Sequence, residues 1–286
     1  MRKQRNSTLR PIRVYDFFSG CGGTSVGFGQ AGIRHALAID SCLDATETFR
    51  KNFHGVPIIS KPIETVDIEC IKSYYGNEPE VKLFCGCAPC QPFTKQKTNT
   101  KKEVSADERR GLLTYFSAIV HACLPELVFI ENVPGLQKVA IEDGGPFSAF
   151  IDQLRQDGYS LAFGVIAAQD YGAAQVRRRL VLVASRLGEI TLPAPTHGPQ
   201  RAKPYVTVRD AIGDLPPVEQ GSEHADKRRY PNHRAAGLST LNLERIRQTG
   251  ANGRRNWPDA MLPNCYAKEE NGERYEGHSD CYTRLS

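Results

Sequence analysis

Three cysteines lie close together in the segment CGCAPCQPFT, and their spacing allows two kinds of chemistry. They could contribute to a zinc site, but such a site usually needs four ligands, and Cys265 and Cys281 lack a paired spacing. Cys90 instead follows a proline at the end of an apolar run, where a thiolate would act as a nucleophile. We therefore predict no metal, a reactive Cys90, and packing roles for Cys85 and Cys87.

A glycine-rich turn in DFFSGCGGTSVGF, residues 16–28, joins a strand-like run to a helix start. Gly20, Gly22 and Gly23 would let the backbone approach a ligand, and the helix N-terminus would offer free N–H groups. Asp40 ends the next strand-like run, where a carboxylate can accept hydrogen bonds from ribose hydroxyls. The pattern predicts a nucleotide-like cofactor other than a dinucleotide, because it is not G-x-G-x-x-G. A tight turn without a ligand is the alternative.

Charged side chains lie at two further strand ends. Glu131 follows four apolar residues in FIENVPG, which suits hydrogen bonding or proton donation. An N-cap or an ion pair with a neighbouring helix is the alternative for this carboxylate. Before the last strand, side-chain alternation would direct Arg177 and Arg179 to one side and Arg178 to the other. A solvated basic strand entrance would explain these arginines equally well.

The elements that must position these residues alternate between strands and helices. The strand-like runs are residues 14–18, 35–40, 81–86, 126–132, 160–168 and 179–185, and the helix-like stretches are 42–52, 106–123 and 147–157. This alternation predicts a doubly wound, mostly parallel α/β sheet, which binds ligands at the carboxyl ends of its strands. After Gly188 prolines cluster and periodicity disappears. We therefore predict a catalytic domain over residues 1–188 and a loop-rich second region over 189–286.

Composition and charge restrict the function classes. The chain has 286 residues, 40% of them hydrophobic and 24% charged, which predicts a packed globular core. There is no apolar run near the ~18 residues that cross a membrane and no secretory signal, so we predict a cytosolic protein with reduced cysteines. The net charge is +5, and basic residues collect in segments 1–13, 95–110 and 175–234. These segments suit a polyanion such as nucleic acid, with solubility as the alternative reason.

Taken together, these stretches resemble the DNA cytosine-5 methyltransferases. DFFSGCGG, PCQPF, ENVPG and the Q-x-R-x-R formed by Gln175, Arg177 and Arg179 occur in the family's order and spacing over residues 14–185. The resemblance implies a Rossmann-like fold that moves a methyl group from S-adenosylmethionine to C5 of a cytosine flipped out of duplex DNA. It also implies a prokaryotic, cytoplasmic and nucleoid-associated enzyme of restriction-modification or other anti-phage defence.

The same resemblance implies roles for individual residues. Cys90 would add to C6 of the cytosine, Glu131 would hydrogen-bond its exocyclic amine and N3, and Arg179, supported by Arg177, would contact its carbonyl oxygen and a phosphate. The implied cofactor-binding residues are Asp16, Phe18, Ser19, Gly20, Cys21, Gly22, Gly23, Thr24, Asp40, Ile63 and Pro89. The implied DNA-binding residues, most of them in a basic loop over residues 95–110, are Gln91, Lys95, Lys97, Lys101, Lys102, Arg109 and Gln175.

The chain departs from the family pattern in three places. No acid stands at 61–62 for the adenine, so Ile63 would supply only an apolar wall, and Ala174 replaces a proline. The family's Arg-x-Leu-Thr and Asn-x-x-Val motifs do not appear. A truncated chain and a split enzyme completed by a second polypeptide remain open, and a decayed copy is disfavoured by the intact motifs. The alternative functions are a tRNA cytosine-5 methyltransferase and a DNA-binding subunit that is non-catalytic or active only with a partner.

Overall fold

The computed structural model describes residues 10–89, 111–134 and 145–249, together with residues 258, 261, 269–270 and 273–274. The chain divides into two compact units, Met1–Val206 and Thr207–Ser286. In the described part of the chain, no helix has both the length and the apolar character that a membrane crossing requires.

The first unit is built on a seven-stranded sheet with the order β3-β2-β1-β4-β5-β7-β6. The strands are β1 Ile12–Phe17, β2 Arg34–Ile39, β3 Ile58–Ile59, β4 Val81–Gly86, β5 Leu127–Asn132, β6 Ser160–Ala167 and β7 Arg178–Ser185. Neighbours among β1 to β5 pair in parallel, whereas β7 is antiparallel to both β5 and β6. The first residues of β7 therefore lie at the edge of the sheet where the parallel strands end.

Helices flank this sheet. They are α1 Gly23–Gln30, α2 Leu43–Asn52, α3 Ile68–Lys72, α4 Leu112–Cys123 and α5 Pro146–Gln156, with 3₁₀ turns at Ile63–Thr65 and Ala168–Tyr171. The predicted doubly wound, mostly parallel α/β fold is confirmed. The helix predicted from residue 106 begins at Leu112 among the described residues, and residues 106–110 lie outside them.

Apolar side chains cover both faces of the central strands, as the near-continuous apolar runs predict. On one face Phe17 packs against Phe84 and Phe116, with ring centroids 5.1 and 5.2 Å away. On the other face Val14 and Cys85 belong to a smaller buried cluster. Cys85 therefore has the packing role predicted for it.

The second unit contains little regular structure among its described residues. Its helices are α6 Val208–Ile212 and α7 Thr240–Gln248, and two short strands, β8 Glu269–Glu270 and β9 Glu273–Arg274, pair antiparallel. Composition changes at Gly188, but residues 189–206 group with the first unit, and several of them are hydrogen-bonded to β6 or to the 3₁₀ turn Ala168–Tyr171 that follows it. That the later residues form a target-recognition region stays a prediction.

Candidate active site

The glycine turn between β1 and α1 has a left-handed backbone at three positions. Phe18, Gly20 and Gly22 have φ of 60°, 54° and 95°. Such a conformation is uncommon for a residue with a side chain and is found where the surrounding structure enforces it. Here the Ser19 N–H donates to Ile39 O at 3.1 Å, and the Gly22 N–H donates to Ser19 O at 2.9 Å. Main-chain hydrogen bonds therefore fix the shape of the turn.

Asp40 ties the turn to the end of β2. Its Oδ2 accepts from the Gly20 N–H and its Oδ1 from the Cys42 N–H, both at 2.8 Å. A carboxylate oxygen can accept a second hydrogen bond, so these contacts leave capacity for a ligand hydroxyl. The structure therefore gives Asp40 a local role that the sequence did not reveal, and its predicted contact with a ribose stays a prediction.

The predicted glycines differ in what surrounds them. A methyl group on Gly20 or Gly23 would meet nothing within 4 Å, so both glycines border open space. A methyl group on Gly22 would collide with the ring of Phe53. Gly22 is thus required by packing and by its positive φ, whereas Gly20 and Gly23 leave room for a ligand to approach the backbone.

The N-terminus of α1 opens on the same turn. Gly22 is its N-cap, no side chain caps it, and its first turn contains no acidic residue. Uncapped N–H groups and the positive end of the helix dipole favour a carboxylate or phosphate. Nearby, Cys21 is exposed, and Thr24 Oγ1 lies 3.7 Å from Cys87 Sγ. The turn fits a ligand that combines an anionic group with ribose hydroxyls.

Four of the predicted cofactor residues are buried, namely Gly22 of the turn, Asp16, Ser19 and Ile63. Asp16 is 1% exposed, and its Oδ2 accepts from Ser25 Oγ at 2.6 Å, so it supports α1 from below the turn. Burial raises the pKa of Asp16 to about 6 against the lowering effect of the Ser25 hydrogen bond. Ser19 is also buried, and Ile63 is packed within the main core cluster. Pro89, at the end of β4, is exposed.

An ion pair joins the ends of β5 and β7. Arg179 Nε lies 2.8 Å from Glu131 Oε1, with side chains 23% and 35% exposed. The Arg179 guanidinium also donates to Arg178 O at 2.8 Å. The sequence left an ion pair with a helix open for Glu131, and the structure supplies its partner from a strand instead. Both side chains remain reachable from solvent, because neither is fully buried.

The neighbouring residues of the Q-x-R-x-R motif are more exposed. Arg177 lies just before β7, and its backbone N–H donates to Gln169 Oε1 at 3.4 Å. Gln175, Arg177 and Arg178 are all exposed, whereas Arg179 is partly buried. The structure therefore separates Arg179, which is paired with Glu131, from the three solvent-exposed residues before it.

Asn132 is a site residue that sequence reasoning missed. It is buried, its Nδ2 donates to Ala88 O at 3.0 Å, and its Oδ1 accepts from the Val133 N–H at 2.8 Å. It therefore joins the end of β5 to the segment that leaves β4. The signal in the sequence was an amide side chain directly after Glu131 at the end of a buried strand.

Several predicted residues lie outside the described part of the chain. They are Cys90, Gln91, Lys95, Lys97, Lys101, Lys102 and Arg109. Of the other two cysteines of the cluster, Cys85 is buried, and burial raises the pKa of its thiol, which makes it a poor nucleophile. Cys87 is partly exposed, with its Sγ 3.9 Å from Cys85 Sγ.

Comparison with known proteins gives a consistent result. Residues 12–281 match the family model of C-5 cytosine-specific DNA methylases. The chain is 34% identical to the Type II methylase M.HgiDII of Herpetosiphon aurantiacus, covering 92% of this chain and 70% of that relative. It is 31% identical to the Type II methyltransferase M.AquIA of Picosynechococcus, covering 74% of this chain and 92% of that relative.

A solved structure agrees with these matches. It is a prophage-encoded E. coli protein assigned as a DNA modification methyltransferase, with a TM-score of 0.60 and 25% identity. The match covers 75% of this chain and 58% of that chain, so this chain spans little more than half of the solved protein.

Proposed function

Because the chain belongs to the family of C-5 cytosine-specific DNA methylases, we propose that it transfers a methyl group from S-adenosylmethionine to C5 of cytosine in duplex DNA. The observation that supports this most directly is the Glu131–Arg179 pair, which lies at the edge of the sheet where β1 leads into the glycine turn and β2 leads to Asp40. The two residues that would hydrogen-bond the target base and the turn that would bind the nucleoside of the cofactor thus lie at the same edge of the sheet.

The glycine turn would hold the cofactor. Gly20 and Gly23 leave the backbone open, Asp40 would accept from the ribose hydroxyls, and the N-terminus of α1 would receive the amino-acid carboxylate. Bound there, S-adenosylmethionine would supply a methyl group on a positively charged sulfur. Asp16 supports this turn from the buried side, so its contribution would be indirect.

Glu131 and Arg179 would hold the target base. The Glu131 carboxyl would hydrogen-bond the exocyclic amine and ring N3, while Arg179 would donate to the carbonyl oxygen. In the free protein the two side chains satisfy each other, and the base would exchange that contact for its own hydrogen bonds. A base in the duplex stack is out of reach for such contacts, so the cytosine must be flipped out.

Cys90 would activate the base. Its thiolate would form a bond to C6, which makes C5 electron-rich, and C5 would then take the methyl group as the bond from methyl to sulfur breaks. Loss of the C5 proton to a base would break the bond from sulfur to C6 and restore Cys90. Cys90 is proposed as the reactive thiol because it belongs to the PCQPF motif of the family, and the burial that disfavours the thiolate of Cys85 is consistent with this.

The test is a covalent trap. The protein is incubated with S-adenosylmethionine and duplex DNA that contains 5-fluorocytosine in many sequence contexts. Fluorine cannot leave as the proton does, so we expect a denaturant-resistant protein–DNA adduct that Cys90→Ser abolishes and Cys87→Ser retains. An adduct that persists in Cys90→Ser, or methyl transfer without any adduct, would contradict the mechanism.

The same assay also distinguishes the proposed function from the alternative functions. A tRNA methyltransferase would methylate tRNA in preference to duplex DNA, so both substrates belong in one assay. A DNA-binding subunit that needs a second polypeptide would bind DNA but form no adduct alone, and an adduct with this chain alone would argue against that partner. A role in restriction-modification would be supported if a cognate nuclease fails to cut DNA that this protein has methylated.

DNA contacts in the second unit are also proposed, on a basic hairpin over residues 221–237. Backbone hydrogen bonds join its two arms, including His224 N to His233 O at 2.8 Å. At its tip, Asp226 Oδ1 accepts from the Arg228 and Arg229 backbone N–H groups, and both arginines are exposed, with the Arg229 guanidinium 5.3 Å from the centroid of the Tyr230 ring. Exposed guanidinium groups on a hydrogen-bonded scaffold suit phosphate contacts.

Replacing these two arginines tests that contact. Arg228→Ala and Arg229→Ala should each weaken DNA binding at all sequences and reduce the salt dependence of binding by about one ion. The matched control is Arg209→Ala, because Arg209 is equally exposed in the same unit but lies on α6. Unchanged salt dependence in the hairpin variants would exclude the contact.

A further inference from the structure

A proline-rich segment, residues 189–205, runs beside β6 at the edge of the sheet, and we name it the strap. Near the start of β6, Ser160 Oγ donates to Glu189 Oε2 at 3.0 Å. Further along, Leu192 Cδ1 packs over Gly164, where a methyl group would lie 3.3 Å from it. The strap thus packs on β6, the last strand of the sheet, on its way to the active-site end.

At that end the strap is bound to the 3₁₀ turn Ala168–Tyr171. The backbone oxygen of Asp170 accepts from the N–H groups of both Thr196 and His197, each at 2.9 Å. The Asp170 carboxylate accepts from the Tyr205 hydroxyl at 3.1 Å. One residue of the turn is thus held by two separate parts of the strap.

Two aromatic rings of the strap occupy space that only glycine leaves open. Gly172 has φ of 94°, and a methyl group there would lie 2.7 Å from His197 Cε1. A methyl group on Gly198 would lie 3.1 Å from the Tyr205 ring. Gly172 therefore lets the His197 ring pack directly on the backbone that follows the turn, which restricts the position of the turn, and Gly198 lets the Tyr205 ring pack on the backbone of the strap itself.

The turn leads directly to the arginines of the candidate site. The Ala168 N–H donates to Arg177 O at 2.8 Å, and Gln169 Oε1 accepts from the Arg177 N–H at 3.4 Å. Two residues later Arg179 pairs with Ile166 of β6 in the ladder and reaches Glu131 with its side chain. The start of β7, which positions Arg179, is therefore hydrogen-bonded to the Ala168–Tyr171 turn that the strap contacts.

We infer that Asp170 and Tyr205 are positioning residues for the Glu131–Arg179 pair, and that the strap acts through the Ala168–Tyr171 turn. The inference rests on the proposed function for its effect on methyl transfer. The hydrogen bond from Tyr205 to Asp170 joins residues that are 35 positions apart in the sequence. Its loss would let the start of β7 move and would separate the guanidinium from the carboxylate.

The first experiment removes one hydroxyl group. Tyr205→Phe should slow single-turnover methyl transfer and adduct formation by about 5-fold, because misalignment of reacting groups acts on the chemical step. Affinity for S-adenosylmethionine should not change, because the glycine turn makes none of these contacts. Tyr115→Phe is the matched control, since Tyr115 on α4 is 47% exposed and Tyr205 43%.

A pair of variants at Asp170 separates the hydrogen bond from the charge. Asp170→Asn keeps an oxygen that can accept from Tyr205 and should retain nearly the wild-type rate. Asp170→Ala should reproduce the loss of Tyr205→Phe, and combining the two should add nothing further. Equal damage from Asp170→Asn and Asp170→Ala would contradict a role through this hydrogen bond.

A measurement independent of activity keeps the inference separate from the proposed function. In an NMR experiment on labelled protein, hydrogen exchange at Arg179 Nε should be about 3-fold faster or more in Tyr205→Phe and unchanged in Tyr115→Phe. An inactive wild type with this difference would overturn the proposed function and leave the positioning role standing. Identical exchange rates in wild type and Tyr205→Phe would overturn the positioning role whether or not the protein methylates DNA.

Discussion

The glycine turn is fixed by main-chain hydrogen bonds, whereas the Glu131–Arg179 pair is fixed by side chains on two antiparallel strands. In the turn, the backbone of Ser19, Gly20 and Gly22 is hydrogen-bonded to nearby main-chain or carboxylate oxygens. In the pair, one contact of 2.8 Å joins two partly exposed side chains. Substitution should therefore damage the shape of the first region and the chemistry of the second.

The largest expected effect belongs to the side-chain region. Glu131→Gln keeps the shape of the side chain but removes its charge and its ability to donate as an acid, so methyl transfer should fall about 10³-fold. Affinity for S-adenosylmethionine, measured by calorimetry, should be unchanged. Glu64→Gln, at an exposed position in the same unit, should leave the rate intact. A loss below tenfold in Glu131→Gln would remove Glu131 from the catalytic groups.

A glycine pair tests the backbone region. Gly22→Ala should lower the free energy of unfolding by about 2–4 kcal/mol, because it strains a positive φ and collides with Phe53. Gly23→Ala should leave stability unchanged or slightly higher, since it adds a methyl group to open space at the start of α1.

The second variant should instead weaken cofactor binding by about tenfold or more, if the open space is where the ligand approaches the backbone. Urea unfolding and calorimetric titration of S-adenosylmethionine distinguish the two variants. Equal behaviour of Gly22→Ala and Gly23→Ala in both assays would show that the structure assigns their surroundings wrongly.

Asn132 joins the end of β5 to the segment that follows β4, and its loss should have a smaller effect. Asn132→Ala leaves the Ala88 carbonyl and the Val133 N–H without their partner, which should cost about 2 kcal/mol of stability. Asn52→Ala serves as the control, because Asn52 is exposed and makes one hydrogen bond on α2. The prediction fails if both variants melt at the same temperature.

The smallest expected effect is a pH dependence of stability that arises from Asp16, which is buried beneath the glycine turn. Folding raises the pKa of Asp16 from 3.8 to about 6. At pH values between these two, the folded protein therefore keeps a proton on Asp16 that the unfolded chain has released. Stability therefore falls as pH rises through this window, and the penalty is fully present above about pH 6.

Asp16→Asn removes that penalty. Between pH 5 and pH 7 the wild type should lose about 1 kcal/mol more stability than the variant, as measured by urea unfolding at each pH. Asp44→Asn, at an exposed position on α2, should follow the wild type. Parallel pH profiles for wild type and Asp16→Asn would mean that Asp16 is ionised throughout this range.

The fold class and the family were predictable because the sheet is buried on both faces and its strands are continuous apolar runs. The fourth strand was predicted over residues 81–86 and is observed as Val81–Gly86. The two-residue β3 was missed, since Ile58–Ile59 is too short to show a period. The insertion of β7 between β5 and β6 was also not predictable, because strand order depends on pairing between distant segments rather than on local pattern.

The candidate site was predicted in part for similar reasons. The types and spacing of Glu131 and Arg179 identified them, but their mutual ion pair depends on the antiparallel register of β5 and β7. Gly22 and Gly23 are adjacent and identical in sequence, so only the ring of Phe53 distinguishes them. The strap was predicted to be part of a second region, because prolines cluster in it and its sequence shows no apolar period.

The position of the strap affects where the chain can be shortened to give a soluble catalytic unit. β6 has eight residues and is the last strand of the sheet, and a strand edge without a neighbour can pair with another molecule. A chain ended at residue 188 would lack the contacts that Glu189 and Leu192 of the strap make with β6, and should leave this strand more accessible to intermolecular strand addition. A chain ended at residue 206 would retain these contacts. Solubility of an excised catalytic unit should therefore depend on these eighteen residues, although they contribute no strand and no apolar core of their own.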